Sequence, residues 1–146
     1  SESSPSGEPL ACWFGRQVGE GRRKELSIVS LKHRAFIANT SMDPELAYLM
    51  ANMGRVRPGS VVYDPFVGSG SILVAAADLG GLVLGLDIDY LTLHGQSRPS
   101  RCQQRQRAAG ESVLRNLQQY GLESRYVDVV VGDASLPVWR AGLRLD

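Results

Sequence analysis

The first half of the chain contains one weak and one strong pattern of apolar positions. Residues 27–37 alternate irregularly between apolar and polar side chains, which predicts an extended segment. From Pro44 to Met53, apolar side chains recur at helical spacing along one face, which predicts a helix. Asp43 can cap that helix and Gly54 can end it.

The centre of the chain has the pattern of a parallel α/β unit. A β-prone run at 61–63 leads through Gly68-Ser69-Gly70 into an apolar stretch at 71–79, long enough for about two and a half helical turns. Gly80-Gly81 ends that stretch, and an all-apolar run follows at 82–86. Strand, turn, helix and strand in this order predict a βαβ unit whose parallel sheet is covered on both faces.

The last third adds a helix and a strand. Residues 111–120 have helical spacing that turns Val113, Leu114 and Leu117 inward. A third run of buried-strand type follows at 127–131. The order of elements therefore predicts an α/β, Rossmann-like fold that contributes the first half of a parallel sheet.

Composition limits the class of protein. With 146 residues, of which 43% are hydrophobic, the chain is long enough for one domain with a core. The Ser-, Pro- and Glu-rich start predicts a flexible lead-in at 1–26 before a partial domain at 27–146. No apolar run reaches the roughly 20 residues of a membrane span. The two cysteines fit neither a metal site nor a disulfide framework, which indicates a reducing, cytoplasmic location.

Acidic residues follow all three predicted strands. Asp64, Asp87 and Asp133 lie where the carboxyl ends of parallel strands meet, which is the ligand-binding rim of an open α/β sheet. Any single aspartate there is explained equally well by a local turn or cap. Three of them at three strand ends, one beside a glycine turn, favour a binding site.

The charge pattern discriminates between nucleotide-like ligands. Asp87 has the spacing from Gly68 that a nicotinamide-binding fingerprint requires, but the third glycine of that fingerprint falls at Leu73. Asp64 would place a negative charge beside a pyrophosphate, which prefers amides and cations. S-adenosylmethionine carries a sulfonium and an ammonium but no phosphate, so the same carboxylates attract it.

S-adenosylmethionine assigns a role to each acid. Asp64 would face the ammonium, Asp87 the ribose hydroxyls and Asp133 the adenine amino group. Gly68 and Gly70 would let the backbone approach the methionine part closely. The residues next to two of these acids, Ile88 and Ala134, would flank the adenine ring.

Five runs of sequence resemble the catalytic subunits of tRNA methyltransferases that modify guanine at position ten, a THUMP-associated group of class I methyltransferases. The likeness covers most of the chain from about Trp13 onward. The Asp-Pro-Phe-Val-Gly-Ser-Gly run alone would indicate only the wider amino-methyltransferase group. The runs that carry the resemblance are Asn39 to Asp43, Asp64 to Gly70, Gly85 to Tyr90, Asn116 to Glu123 and Asp133 to Arg140.

The resemblance implies transfer of a methyl group to the exocyclic 2-amino group of a guanine in tRNA. It also implies a small zinc-binding activator subunit as a partner, although no metal site is visible in the chain itself. The cofactor-binding residues that follow are Thr40, Ser41, Asp64, Pro65, Phe66, Gly68, Gly70, Asp87, Ile88, Asp133 and Ala134.

The resemblance places the catalytic residues beyond this sequence. Family members continue past the position of Asp146 into a fourth strand and an Asp-Pro-Pro-Tyr motif, which the 146 residues lack. Carboxylate and carbonyl acceptors of such a motif would stabilise the charge that develops on the guanine amine. No catalytic residue is therefore predicted up to Asp146, and the 146 residues alone are expected to be inactive.

Two points stay open at this stage. Thr40 and Ser41 fit either contact with the methionine carboxylate or capping of the helix that follows. Arg98, Arg101, Arg105 and Arg107 fit either tRNA contact or a solvated loop. Methylation of DNA or of a protein amide, and a non-catalytic scaffold or splice product, are the alternative functions.

Overall fold

A computed structural model describes residues 12–136, 138–140 and 142 of the chain. It contains a three-stranded parallel sheet in the order β1 (Val61–Asp64), β2 (Leu82–Asp87) and β3 (Tyr126–Val131). The Rossmann-like, parallel arrangement predicted from the pattern is confirmed. Because β2 lies in the middle, its carboxyl end is flanked by the ends of both neighbouring strands. Asp146, where the predicted domain ends, lies outside the described residues.

Four α-helices flank the sheet in the described residues. The predicted helices before β1, between β1 and β2, and before β3 are confirmed to within two residues at either end. A short helix directly after β2 was not predicted. The helices are α1 (Pro44–Met53), α2 (Ser71–Asp78), α3 (Tyr90–Leu93) and α4 (Val113–Gln119), with 3₁₀-helices at Arg22–Ser27 and Glu123–Arg125. None of these helices is both long and apolar enough to cross a membrane.

The prediction of an extended segment at 27–37 is wrong. A 3₁₀-helix ends at Ser27, and turns without a strand partner follow it. Side chains satisfy the backbone here instead of a neighbouring strand. Arg34 donates to the carbonyl of Val29, and Asn116 bonds both the N–H and the C=O of Phe36. Weak alternation therefore marked a loop that is held by buried polar side chains.

The helices α1 and α2 pack through small side chains. Ala47 and Ala51 of α1 are buried against Ala75 of α2. The larger apolar residues that form the helical stripe of α1 remain 43–76% exposed. The stripe therefore located the helix correctly, while alanines make its contact with the core.

The predicted burial of the third strand is also wrong. Val127, Val130 and Val131 are exposed, whereas the middle of β2 is buried throughout. Among the described residues β3 lies at an edge of the sheet, and much of its surface is left uncovered there. An apolar run alone could not show this, because burial depends on what packs over the strand.

The register of the strands determines which residues lie at the carboxyl edge of the sheet. Asp64, the last residue of β1, pairs with Gly85, so β2 extends two residues further to Asp87. The chain turns back over this edge after β1, and the N–H of Val67 donates to the carbonyl of Leu86. The glycine turn is thereby fixed beside the end of β2.

Candidate functional site

A cleft of about 200 Å³ opens at the carboxyl edge of β1 and β2. One wall is formed by the strand ends and the glycine turn, and the other by the segment that precedes α1. The residues that line the cleft are Thr40, Met42, Asp64, Phe66, Val67, Gly68, Ser69, Ser71, Ile72 and Asp87. Five of them, Thr40, Asp64, Phe66, Gly68 and Asp87, were predicted from the sequence.

Asp87 holds the glycine turn against the end of β2. One carboxylate oxygen accepts the N–H of Gly68 at 2.7 Å, and the other accepts the N–H of Asp89 at 2.9 Å. Gly68 has a positive φ of 51°, and a Cβ built there would meet nothing within 4 Å. The turn therefore presents bare backbone to an open space, as close approach of a ligand requires.

Asp64 is a buried carboxylate on the same wall. Its side-chain oxygen accepts the N–H of Phe66 at 2.9 Å, and only 5% of the residue is exposed. Burial raises the pKa of Asp64, the bond from Phe66 lowers it in part, and the negative charge of Asp87 raises it further. Two carboxylates that face one cleft make this wall attractive to a cation.

Gly70 has a different role from the one that we expected. A Cβ at Gly70 would lie 2.7 Å from the Cγ1 atom of Val113, and its φ is 79°. Glycine is therefore needed here for the left-handed backbone and for close packing of α4. Open space next to the backbone is found at Gly68, whereas the Cβ position of Gly70 faces Val113.

The second wall is fastened to the glycine turn by hydroxyl groups. Ser41 and Ser69 share a hydrogen bond of 2.6 Å, and Ser41 also accepts the N–H of Ala38. The cap of α1 is Asp43, which accepts the N–H of Glu45, so neither Thr40 nor Ser41 caps that helix. Thr40 is left facing the cleft, and Ser41 holds the wall in place.

Asn116 on α4 ties the two walls together and was missed by the sequence analysis. Its amide group is completely buried and donates to the carbonyls of Phe36 and Ser69 at 2.8 and 3.0 Å. Its oxygen accepts the N–H of Phe36 at 2.8 Å. The available signal was a polar residue on the inward face of an amphipathic helix, three residues after Val113.

The residues proposed to hold the adenine ring lie outside this cleft. Ile88 is 71% exposed directly after β2, and Asp133 and Ala134 are exposed after β3. Asp133 accepts the N–H of Ser135 at 2.8 Å, and this bond holds the pKa of Asp133 below its usual value. Pro65 lines a neighbouring groove along β1. These residues share the sheet edge with the cleft without forming its walls.

The motif predicted to carry catalysis is not among the residues that line the cleft. It was expected to follow Asp146, a position that lies outside the described residues.

Two of the four arginines in the loop before α4 are used inside the protein. Arg107 donates to the carboxylate of Glu111 at 2.7 Å and stacks over the ring of Phe36 at 4.9 Å. Arg101 donates to the backbone carbonyls of Leu31 and Arg34. Both side chains hold this loop against the segment before α1.

The remaining two arginines of the loop, Arg98 and Arg105, are exposed at the surface. They are the ones whose position still fits contact with a nucleic acid.

Comparison with known proteins found a family model and several relatives that match this chain. Residues 32–135 match the family model described as UPF0020, RMKL-like, methyltransferase domain. The chain is 48% identical over 139 residues to "tRNA (guanine(10)-N(2))-methyltransferase TRMT11" of Gallus gallus, a match covering 95% of this chain and 30% of the relative. Identity to the Homo sapiens protein of the same name is 47% over 138 residues, covering 94% and 30%.

A more distant relative matches over the same region. The chain is 34% identical to the "tRNA (guanine(10)-N(2))-methyltransferase" of Saccharomyces cerevisiae over 146 residues, covering 100% of this chain and 31% of that protein. The chain thus spans about 30% of the length of these relatives.

Proposed function

The chain belongs to the RMKL-like methyltransferase domain family, and we propose that it uses S-adenosylmethionine to methylate the 2-amino group of a guanine in tRNA. A methyltransferase domain works with a methyl donor. The proposal concerns which molecule is the donor, S-adenosylmethionine, and which group is the acceptor, the 2-amino group of guanine. The observation that carries it is the pair of carboxylates, Asp64 and Asp87, facing one cleft beside the bare backbone of Gly68.

The residues of the cleft fit a cationic ligand better than a phosphate. A buried carboxylate whose pKa is raised by its surroundings gains from a nearby positive charge, and Asp64 is in this situation. A phosphate group at the same place would meet two negative side chains. The sulfonium and ammonium of S-adenosylmethionine satisfy the site without that repulsion.

The size of the cleft agrees with the binding of part of the cofactor. Ligand pockets usually enclose about 300–1,000 Å³, and this cleft of about 200 Å³ is smaller. The methionine part would occupy it, and the adenosine part would extend along the sheet edge toward Ile88. In this arrangement the exposed Asp133 and Ala134 lie at the outer end of the cofactor.

The chain's own residues would bind and orient the cofactor. S-adenosylmethionine supplies, when bound, a methyl group on a positively charged sulfur. Asp64 would hold the cationic end and Asp87 the ribose hydroxyls, while the N–H of Gly68 keeps Asp87 in position. Thr40 would contact the methionine part from the opposite wall.

The relatives support the choice of acceptor. Proteins named for the N2 position of guanine 10 in tRNA align with at least 94% of this chain. We propose that the chain is part of a cytoplasmic tRNA-modifying enzyme and that, as the resemblance implies, it works with a zinc-binding activator subunit. Arg98 and Arg105 would contact the tRNA backbone, where each neutralised phosphate adds to the salt dependence of binding.

A methylation assay tests the proposal directly. The purified protein is titrated with S-adenosylmethionine by calorimetry and then incubated with the labelled cofactor and unmodified tRNA that carries guanosine or inosine at position ten. Inosine lacks only the 2-amino group and is the matched control. In the assay, an extension of the chain through the motif expected after Asp146 is compared with the 146 residues alone.

We expect both versions to bind the cofactor, and the extended version to label the guanosine transcript alone. The 146 residues alone should transfer no label, because the acceptors for the guanine amine are missing. Absence of cofactor binding, or equal label in both transcripts, would contradict the proposal. Label transferred by the 146 residues alone would show that the expected motif is not needed.

The tRNA contact has its own test. Replacing Arg98 and Arg105 with alanine should weaken tRNA binding by about fivefold at low salt, because two phosphate contacts are lost. The same change at Arg55 and Arg57, which lie at the surface before β1, removes equal charge elsewhere. Equal losses in the two double variants would rule out a specific role for the loop.

A further inference from the structure

The loop between α3 and α4, residues 95–112, is held in shape by its own side chains. The structure describes all of these residues, and they form no helix or strand. The two ends of the loop meet, because a Cβ at Gly95 would overlap the backbone carbonyl of Glu111. The carboxylate of Glu111 accepts the N–H of Ala108 at 2.9 Å and a bond from the side chain of Gln104. The loop is therefore a compact unit that can act as one body.

Arg107 joins this loop to the second wall of the cleft. Inside the loop, its Nε atom donates to the carbonyl of Ser97 at 2.7 Å, and one terminal nitrogen donates to the carbonyl of Arg98 at 2.9 Å. The other terminal nitrogen donates to the carbonyl of Ile37 in the wall at 3.1 Å, and the guanidinium lies over the ring of Phe36. One planar group thus bonds the loop and the wall at the same time, which the compact ammonium of a lysine cannot do.

The bond to Ile37 reaches the part of the wall that faces the cleft. The next residue, Ala38, donates its N–H to the hydroxyl of Ser41 at 2.8 Å, and Ser41 bonds Ser69 of the glycine turn at 2.6 Å. Thr40 lies within this short segment and lines the cleft. The seating of Arg107 therefore bears on where the second wall stands relative to the glycine turn.

The same loop presents cations to solvent. Arg98 and Arg105 are exposed, and residues 90–110 contain no acidic side chain. Arg98 has two parts with different surroundings, because its side chain is at the surface while its backbone carbonyl accepts the bond from Arg107. A polyanion that holds the Arg98 side chain would hold the backbone that Arg107 bonds.

We propose that Arg107 is a positioning residue that couples the binding of tRNA at this loop to the binding of the cofactor in the cleft. The inference rests on the proposed function, which supplies both ligands. It adds that the two ligands bind cooperatively, each raising the affinity for the other.

The sign of the coupling follows from conformational entropy. Residues 28–43 and 95–112, all of them described by the structure, form no helix or strand, so fixing them in one arrangement is costly. Bound tRNA fixes the loop, bound cofactor fixes the wall, and Arg107 makes these the same arrangement. The ligand that binds first bears the cost of ordering, and the second binds more tightly. Linkage requires the factor to be equal in both directions.

The test measures a coupling factor by calorimetry. This factor is the affinity for S-adenosylmethionine with saturating tRNA divided by the affinity without it, and the tRNA carries inosine at position ten so that no methyl group is consumed. Arg107→Lys keeps the charge and loses the planar group. Arg98→Ala removes only an exposed side chain and leaves the buried bonds intact.

Two further variants are controls for the coupling factor. Arg115→Lys makes the change from arginine to lysine on the exposed surface of α4. Val83→Ala truncates a buried side chain of β2 and shows what a general loss of stability does, which is followed by the unfolding midpoint. Neither change touches the bonds between the loop and the wall.

We expect tRNA to raise the affinity of the unaltered protein for the cofactor by about fivefold or more, and the cofactor to raise the affinity for tRNA by the same factor. Arg107→Lys and Arg98→Ala should bring the factor to within about twofold of one, and both controls should keep it. If the unaltered protein binds both ligands independently, or if either loop variant keeps the full factor, the coupling is wrong and the proposed function stands. If the unaltered protein fails to bind one of the ligands, the proposed function is wrong and the coupling falls with it.

Discussion

The strands β2 and β3 are parallel neighbours with similar apolar sequences and very different surroundings. The middle of β2 is buried, whereas three valines of β3 are exposed. The strand-end acids differ in the same way: Asp87 bonds the glycine turn, whereas among the described residues Asp133 bonds Ser135 within its own turn. The central strand thus contributes a carboxylate to the cleft, whereas the acid that follows β3 lies outside it.

The largest expected difference between the two strands is in stability. Leu86→Ala removes a fully buried side chain from β2 and should lower the free energy of unfolding by about 2–5 kcal/mol. Val130→Ala on β3 should cost less than about 1 kcal/mol, because the valine is exposed. Denaturant unfolding measures both values. Equal losses would mean that β3 is covered as fully as β2.

A smaller difference is expected for the glycines of the two strand ends. A Cβ at Gly85 would overlap the side chain of Val67 and lie 2.9 Å from the carbonyl oxygen of Asp64. Gly85→Ala should therefore destabilise the protein by about 1–3 kcal/mol and displace the wall of the cleft.

Gly132→Ala is the matched control for that change. Its Cβ would meet the end of the Leu86 side chain at 2.7 Å, which can move aside. Unfolding midpoints of the two variants give the comparison, and a larger shift for Gly132→Ala would contradict it.

Cofactor affinity should separate the two acids. Asp87→Asn removes one acceptor from a side chain that uses both oxygens, and we expect affinity for S-adenosylmethionine to fall by about tenfold. Asp133→Asn should change it by about threefold or less, because Asp133 is exposed at the outer end of the proposed ligand. Calorimetry checks both, and the reverse order would place the ligand along β3.

The smallest effect concerns the dependence of stability on pH. The native pKa of Asp64 is raised, so between the unfolded and the native pKa values the native state holds a proton that the unfolded chain has lost. The stability contributed by this group is present below the unfolded pKa and is lost as the pH rises through the native pKa. The pKa of Asp133 is lowered, so its contribution is present above the unfolded value and is lost as the pH falls through the native one.

NMR of the carboxyl carbons can follow both titrations. We expect Asp64 to titrate above the ordinary aspartate range and Asp133 below it. Asp64→Asn should remove the first dependence, because the amide does not titrate. Identical titration of the two carboxyl groups would contradict the difference in their surroundings.

Local signals in the sequence were sufficient for much of the fold. The helical repeat and the caps located α1 and α4, and the glycine turn between two apolar runs located α2 in a parallel unit. The burial of β3 and the conformation of residues 27–37 depend on contacts between distant parts of the chain. Strand-type composition could not reveal them.

Some residues of the candidate site were likewise predictable from local sequence signals, and others were not. Asp64, Gly68 and Asp87 follow from the rule that ligands bind at the carboxyl ends of parallel strands. The roles of Arg34 and Asn116 depend on partners that lie 37 and 80 residues away in the sequence. In the sequence, Arg34 and Asn116 are distinguished only by their polar character among apolar neighbours. Polarity alone does not show which distant residue each side chain bonds.

The bonds of Asn116 have a consequence for the order in which the site is assembled. The βαβ unit closes over short loops, and Ser41 joins the wall before α1 to Ser69 across 28 residues, but the bonds from Asn116 to Phe36 span 80 residues. Closing so long a loop slows the contacts that depend on it. During synthesis the glycine turn and its bond to Ser41 can therefore form first, and the second wall acquires its full set of bonds only when α4 docks.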